Sequence, residues 1–200
     1  MEKQTIIFAS NNKHKILEVG EMLGDRYNVL SLNDIGFNQD IVEDGQTFEE
    51  NAMIKCHAVQ KFLADRAKDY FILADDSGLC VDALNGAPGV FSARYAGGHG
   101  NEQACRDKIL DELKGKDDRS ANFTCCMAMI DKNGNEYAVL GQTFGKILTK
   151  ETGDISFCYD CLFYSTDLQK CFGLCTSEEK NFVSHRGRAV EKIKQILDNL

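Results

Sequence analysis

The sequence predicts an α/β domain with a mixed central sheet flanked by helices. Three observations predict it. Short apolar runs at the start of the chain and near residue 70 have strand length. Helical periodicities separate them, and a hairpin signal joins two strand-like runs in the second half.

The elements follow in order. Thr5-Ile6-Ile7-Phe8-Ala9 reads as a buried strand that ends in polar Ser10-Asn11-Asn12. Ile16, Leu17, Gly20 and Leu23 follow at helical spacing, and residues 28–32 suit a second strand. Thr47 and Glu50 form a capping box. Behind it Phe48, Ala52, Cys56, Val59 and Leu63 line one face of a long helix. The run from Tyr70 to Ala74 is a buried strand leading into Asp75-Asp76-Ser77-Gly78. Residues 101–113 read as a helix. Strand-like runs at 122–130 and 136–143 flank Lys132-Asn133-Gly134-Asn135, a hairpin turn. Residues 188–200 close the chain as an amphipathic helix with Val190, Ile193, Leu197 and Leu200 inward.

Composition excludes several classes. Apolar residues are 43% and charged residues 27% of 200 residues, so the chain is neither disordered nor fibrous. This length fits one domain over residues 1–200. With 23 basic and 31 acidic side chains the net charge is −8, which argues against binding a nucleic-acid polymer. No run approaches the roughly 20 apolar residues needed to span a bilayer. The N-terminus lacks a secretory h-region, so a cytoplasmic protein is expected. Nine cysteines cannot all pair within the chain, and in a reducing compartment most serve as small buried hydrophobes.

Polar groups that could carry chemistry gather in three places. Ser10, Asn11, Asn12, Lys13, His14 and Lys15 lie between a strand and a helix. A helix N-terminus with neutral donors and an ammonium suits a polyphosphate. The plain alternative is a polar loop with a helix cap, and no P-loop sequence is present. Asp75 and Asp76 are adjacent carboxylates, which repel unless a cation or a base role compensates. With Glu43 they could hold Mg²⁺, which takes one or two carboxylates plus phosphate oxygens; an Asp-Ser-Gly turn is the alternative. Lys180, His185 and Arg186 collect donors near the start of the last helix, where the dipole favours cations least. A solvated loop is the alternative there. Cys158 and Cys161, with Cys171 and Cys175, have spacings poor for a four-thiolate zinc site, and packing thiols account for them better.

Five motifs in this order resemble the inosine triphosphate pyrophosphatase family, the Ham1-like nucleoside-triphosphate pyrophosphatases. They are Ser10-x-Asn12-x-x-Lys15; Glu43-Asp44-Gly45-x-Thr47-Phe48-x-Glu50-Asn51-Ala52-x-x-Lys55; Ala74-Asp75-Asp76-Ser77-Gly78-Leu79; Gly86-Ala87-Pro88-Gly89 with Ser92-Ala93-Arg94-Tyr95; and Ser184-His185-Arg186-Gly187. The resemblance implies an elongated two-lobed α/β fold, usually homodimeric. It implies Mg²⁺-dependent hydrolysis of ITP, dITP and XTP to the monophosphate and pyrophosphate, clearing deaminated purines from the nucleotide pool.

It also implies roles. Asp76 is the base and a metal ligand, with Glu43 and Asp75 as further metal-side carboxylates. Ser10, Asn11, Asn12, Lys13, His14, Lys15 and Ser77 bind the triphosphate. Phe157, Cys158, Tyr159, Asp160, Lys180, His185 and Arg186 bind the base, with Phe157 stacking on it. The family's Gly-Gly-Phe-Gly-Tyr-Asp-Pro run is altered here to Phe157-Cys158-Tyr159-Asp160-Cys161, without its glycines and proline. The same chemistry on a different modified nucleotide is therefore the alternative. A nucleotide-binding regulator without turnover is the competing class. Glu43, Asp75, Asp76 and Lys15 speak for an enzyme, since a mere binder needs no base.

Overall fold

The computed structural model describes residues 3–98, 100–154 and 158–200. Its strands are β1 (Gln4–Phe8), β2 (Tyr27–Leu30), β3 (Phe71–Val81), β4 (Ser120–Ile130), β5 (Glu136–Ile147), β6 (Phe163–Ser165) and β7 (Lys170–Cys171). Its α-helices are α1 (Lys13–Leu23), α2 (Phe48–Leu63), α3 (Glu102–Glu112), α4 (Ser177–Val183) and α5 (His185–Leu197). The sheet order is β2-β1-β3-β4-β5-β6-β7. β1 runs parallel to β2 and β3, whereas β6 is antiparallel to both β5 and β7, so the sheet is mixed as predicted.

The chain forms two compact units. The first comprises Met1–Asp76, Cys125–Gly141 and Gly187–Leu200, and the second Ser77–Thr124 and Gln142–Arg186. In the first unit the two-residue period of the strands sorts side chains onto two faces. Ile6, Phe8, Phe71, Leu73, Met127 and Met129 join Val19 and Leu23 of α1 and Val190, Ile193 and Leu197 of α5. Ile7, Ala9, Ile72, Ala74, Cys126 and Ala128 join Ala52, Cys56 and Val59 of α2 on the other face. Strands buried on both faces read as unbroken apolar runs, which is why β1 and β4 were legible.

The second unit has its own core, built on Leu79, Val81, Ile109, Phe123, Leu162 and Phe172. Phe163 packs at 4.7 Å from Phe123 and 5.0 Å from Phe172, centroid to centroid. Among the described residues no helix is long and apolar enough to cross a membrane.

Local chemistry sets the helix starts. Thr47 Oγ1 accepts from the Glu50 amide while the Glu50 carboxylate accepts from the Thr47 amide, the capping box expected from the sequence. A second box, Thr176 with Glu179, starts α4, which the sequence reading did not anticipate.

Three expectations need correction. β3 does not stop at Ala74 but continues through Asp75-Asp76-Ser77-Gly78 to Val81. Leu200 was expected inward but is 59% exposed; on α1 Leu17 is 61% exposed and Val19 is buried. The closing helix starts at His185, ahead of Arg188, and ends at Leu197, which leaves Leu200 beyond its apolar face. Strands β6 and β7 are three and two residues long, too short to show a period in the sequence.

Burial sorts the closing and opening helices into testable positions. Ile193→Ala removes a fully buried side chain from the α5 face and should cost roughly 2–5 kcal/mol. Leu17→Ala should stay within about 0.5 kcal/mol of wild type. Urea midpoints of the two variants check both.

Candidate functional site

In a strand, consecutive side chains leave on opposite faces. Asp75 shares the face of Phe71 and Leu73, and Asp76 that of Ile72 and Ala74. The mutual repulsion expected of neighbouring carboxylates is thereby reduced, and each acid meets a cation from a different helix. Lys15 of α1 places Nζ 3.0 Å from both carboxylate oxygens of Asp75, whose side chain is 2% exposed. On the α2 side, Asn51 Nδ2 donates to Asp76 Oδ2 at 3.0 Å. Lys55 Nζ donates to Glu43 Oε2 at 2.7 Å and lies 3.9 Å from Asp76 Oδ1.

This group is electrostatically tense. Burial pushes the Asp76 carboxyl above its ordinary range, against the pull of Lys55, the Asn51 hydrogen bond and Lys15. Burial works to lower Lys55, but the carboxylates of Asp75, Asp76 and Glu43 outweigh it and hold the ammonium above its usual value. A carboxylate with a raised proton affinity can take a proton from an attacking water.

The loop after β1 joins the same unit but differs from expectation. Asn12 Oδ1 accepts from the amides of His14 and Lys15, so these N–H groups are capped by the protein itself. The Ser10 hydroxyl accepts from the Asn12 amide, which leaves its own proton to donate. Asn11 Oδ1 holds the Asn33 amide. Asn11, Asn12, Lys13 and His14 are exposed, and Ser77 is half-buried beside Asp76 in β3.

The second unit carries the other predicted residues. Lys180 Nζ lies 2.5 Å from Asp160 Oδ2, with both residues buried. His185 and Arg186 are 6% and 4% exposed, not part of a solvated loop. The His185 ring stacks on Phe123 at 4.9 Å between centroids and 16° between planes. Tyr159 is buried and gives its hydroxyl to the Ser92 carbonyl at 2.8 Å, so it braces the turn. The Cys158 thiol faces the Glu102 carbonyl. Phe157 lies outside the described residues.

Burial raises the Cys158 thiol to about 12 and Cys161 to about 11, so both are thiols at neutral pH. Cys171 donates to the carbonyls of Asp160 and Thr152, and Cys175 to that of Cys171.

Asn51, Lys55 and Gly45 were visible as motif letters but carried no assigned role. A Cβ on Gly45 would sit 2.7 Å from Asn51 Oδ1 and from Glu50 Cβ, while its amide donates to that same Oδ1 at 2.9 Å. Only glycine lets the backbone approach this closely and orient Asn51 toward Asp76. The i, i+4 spacing of Asn51 and Lys55 on one helical face was the available signal.

The expected metal ligands Glu43, Asp75 and Asp76 are divided between two lysines. Among the described residues no three His, Cys, Asp or Glu side chains form a metal-holding group. Asp75 is turned to Lys15. Glu43 and Asp76 remain, both facing the Lys55 ammonium. Three carboxylates against two lysines leave one negative charge, and two carboxylates suffice for Mg²⁺ when phosphate oxygens complete its shell. The donors therefore fit a divalent cation at Glu43 and Asp76.

Known proteins share this arrangement of sequence and fold. The Ham1 family model matches residues 6–196. A dITP/XTP pyrophosphatase of Clostridium perfringens is 48% identical over 198 residues, covering 97% of this chain and 96% of that protein. The dITP/XTP pyrophosphatase of Bacillus subtilis is 43% identical over 195 residues, with 96% of each chain covered. The structure of the Staphylococcus aureus Ham1 protein matches with a TM-score of 0.87 at 35% identity over 98% of both chains. That of a Mycobacterium abscessus nucleoside-triphosphatase / dITP/XTP pyrophosphatase matches with a TM-score of 0.75 at 36% identity, over 94% of this chain and 98% of that one. With its acid–lysine groups on both faces of β3 and a match over nearly its full length, the chain belongs to the Ham1 family.

Proposed function

We propose that this protein hydrolyses the triphosphates of deaminated purines, dITP, ITP and XTP, to the nucleoside monophosphate and pyrophosphate with Mg²⁺. The names of its relatives support the reaction and the substrate class. The observation that carries it is the part-buried contact of Asp76 with Asn51 and Lys55 beside Glu43.

Cleavage between the first and second phosphorus atoms needs a directed water, charge neutralisation and a held leaving group. Asp76 orients the water and accepts its proton. Asn51 holds the carboxylate by donating to Oδ2. Lys55 and Lys15 offset phosphate charge, and Asp75 holds Lys15 in place. Ser10, Asn12 and Ser77 offer neutral donors to phosphate oxygens, with Asn11, Lys13 and His14 at the exposed rim. Glu43 and Asp76 would hold Mg²⁺, which supplies Lewis-acid stabilisation of the developing phosphate charge.

In the second unit, Lys180 presents an ammonium held by Asp160, and His185 and Arg186 add donors. Hypoxanthine and xanthine carry an acceptor at O6, where adenine carries an amino donor. A donor set facing an amino group leaves both unpaired, a mismatch worth up to about 10⁴ in discrimination. Stacking of Phe157 on the base belongs to the same reading.

A panel of nucleoside triphosphates, with and without Mg²⁺, tests the function. Monophosphate and pyrophosphate from dITP and XTP, lost on adding EDTA, are the expected products. Orthophosphate release, or binding without turnover, would sink the reading, and a preference for another modified base would redirect it.

Asp76→Asn preserves size and removes the base. We expect kcat to fall about 10²–10⁴-fold with the melting temperature maintained. Near-normal turnover at saturating Mg²⁺ contradicts the assignment.

Arg186→Ala should lower kcat/KM for ITP far more than for ATP. Equal losses on both substrates would make Arg186 a support for the fold or the phosphates.

A further inference from the structure

We infer that Arg106 is a positioning residue for base selection, holding the Cys158–Asp160 turn so that Asp160 presents Lys180 in a fixed place. The inference rests on the reading of Lys180 as a base donor. It adds a residue on another helix that reaches the predicted base-binding residues through the Cys158 carbonyl.

Arg106 sits on α3 and is only 3% exposed. Its three guanidinium nitrogens are all engaged. Nε donates to Glu151 Oε1 at 2.7 Å, one terminal nitrogen to Gln103 Oε1 at 2.7 Å, and the other to the Cys158 carbonyl at 3.0 Å. Gln103 closes the ring by donating to the same Glu151 oxygen at 2.9 Å. Glu151 and Cys158 stand 45 and 52 residues from Arg106 in sequence. One planar fork therefore ties α3 to both sides of the run that ends in Asp160.

A buried guanidinium is a poor source of stability. Taking its charge from water costs several kcal/mol in general, and an apolar residue of similar volume often stabilises as well or better. What the fork provides is geometry, because its donors are rigidly spaced. The turn it grips is pinned residue by residue. Cys158 is held by Arg106, Tyr159 by its hydroxyl on the Ser92 carbonyl, and Asp160 by the Cys171 thiol on its carbonyl. The Asp160 carboxylate then reaches Lys180 at 2.5 Å. The single proline of the chain is Pro88, so no proline stiffens this turn. Removing the Arg106 pin lets the Cys158 carbonyl shift and Asp160 with it. A displaced Lys180 ammonium would contact O6 less well while the machinery on β3 and α2 stays intact.

Arg106→Lys keeps the charge and the Glu151 pair, but one ammonium cannot also span to Gln103 and the Cys158 carbonyl. The readouts are KM and kcat for dITP, and the ratio of kcat/KM for dITP over dATP, at a temperature where circular dichroism shows native protein. We expect KM for dITP to rise and the ratio to fall, each about tenfold, the effect of losing one charge-assisted hydrogen bond. Because the lost contact bears on the base in ground state and transition state alike, kcat should move less than about threefold. Glu151→Gln weakens the ion pair and leaves the Cys158 contact; it should lower the melting temperature and keep the ratio. An Arg106→Lys protein that melts earlier yet keeps the wild-type ratio overturns the inference. If Arg106→Lys does not fold, Arg106→Met serves, since it fills the buried place and donates nothing to the Cys158 carbonyl. A fall of about tenfold in the ratio then supports the inference, and an unchanged ratio overturns it. A wild-type protein that releases no pyrophosphate from dITP defeats both the functional reading and this inference; turnover with an unmoved ratio defeats the inference alone.

Discussion

The two-residue period of β3 at Asp75-Asp76 governs the first unit. Side chains that are neighbours in sequence become neighbours of different helices in space. Each carboxylate therefore acquires its own lysine, Lys15 from α1 and Lys55 from α2, in place of a shared repulsion. The parallel register with β1, where Ile7 faces Ile72 and Phe8 faces Leu73, fixes which acid points which way. A slip of one residue would exchange the two acids and turn the apolar set of β3 inside out. The apolar faces that build the core are thus the same device that orients the chemistry.

Charge is buried in both units, and its role differs between them. Around Asp76 the cations do not fully offset desolvation, and the carboxyl retains a raised proton affinity. In the second unit the pairs are closed: Asp160 with Lys180, and Arg106 with Glu151. Pairs of this kind contribute little net stability and much geometric definition. The first group keeps a strained carboxylate, and the second is held in matched pairs.

The cysteines follow from the same logic of burial. Among the described residues all nine lie outside disulfides. Cys56 donates to backbone carbonyls of β3 and β4, and burial lifts its thiol far above the usual range. Neutral thiols of this size pack as small apolar groups. Cys158 and Cys161 do the same in a turn where the resembling family carries glycine and proline, and hydrogen bonds from elsewhere hold that turn.

Local chemistry was legible in the amino-acid sequence alone. Apolar runs located the strands, Thr47 with Glu50 located a helix start, and the face of Phe48, Ala52, Cys56, Val59 and Leu63 located its buried side. The motif order carried the resemblance, and with it Glu43, Asp76 and Lys15. What the sequence could not express was pairing over distance. Lys15 and Asp75 are 60 residues apart, Asn51 and Asp76 are 25 apart, and Arg106 reaches 52 residues to Cys158. Nor could it say that β3 runs on through two acids, since carboxylates after an apolar run mark a strand end unless cations await them. Those cations are delivered by helices packed on either face, so the meaning of Asp75 and Asp76 was decided only when the sheet was covered.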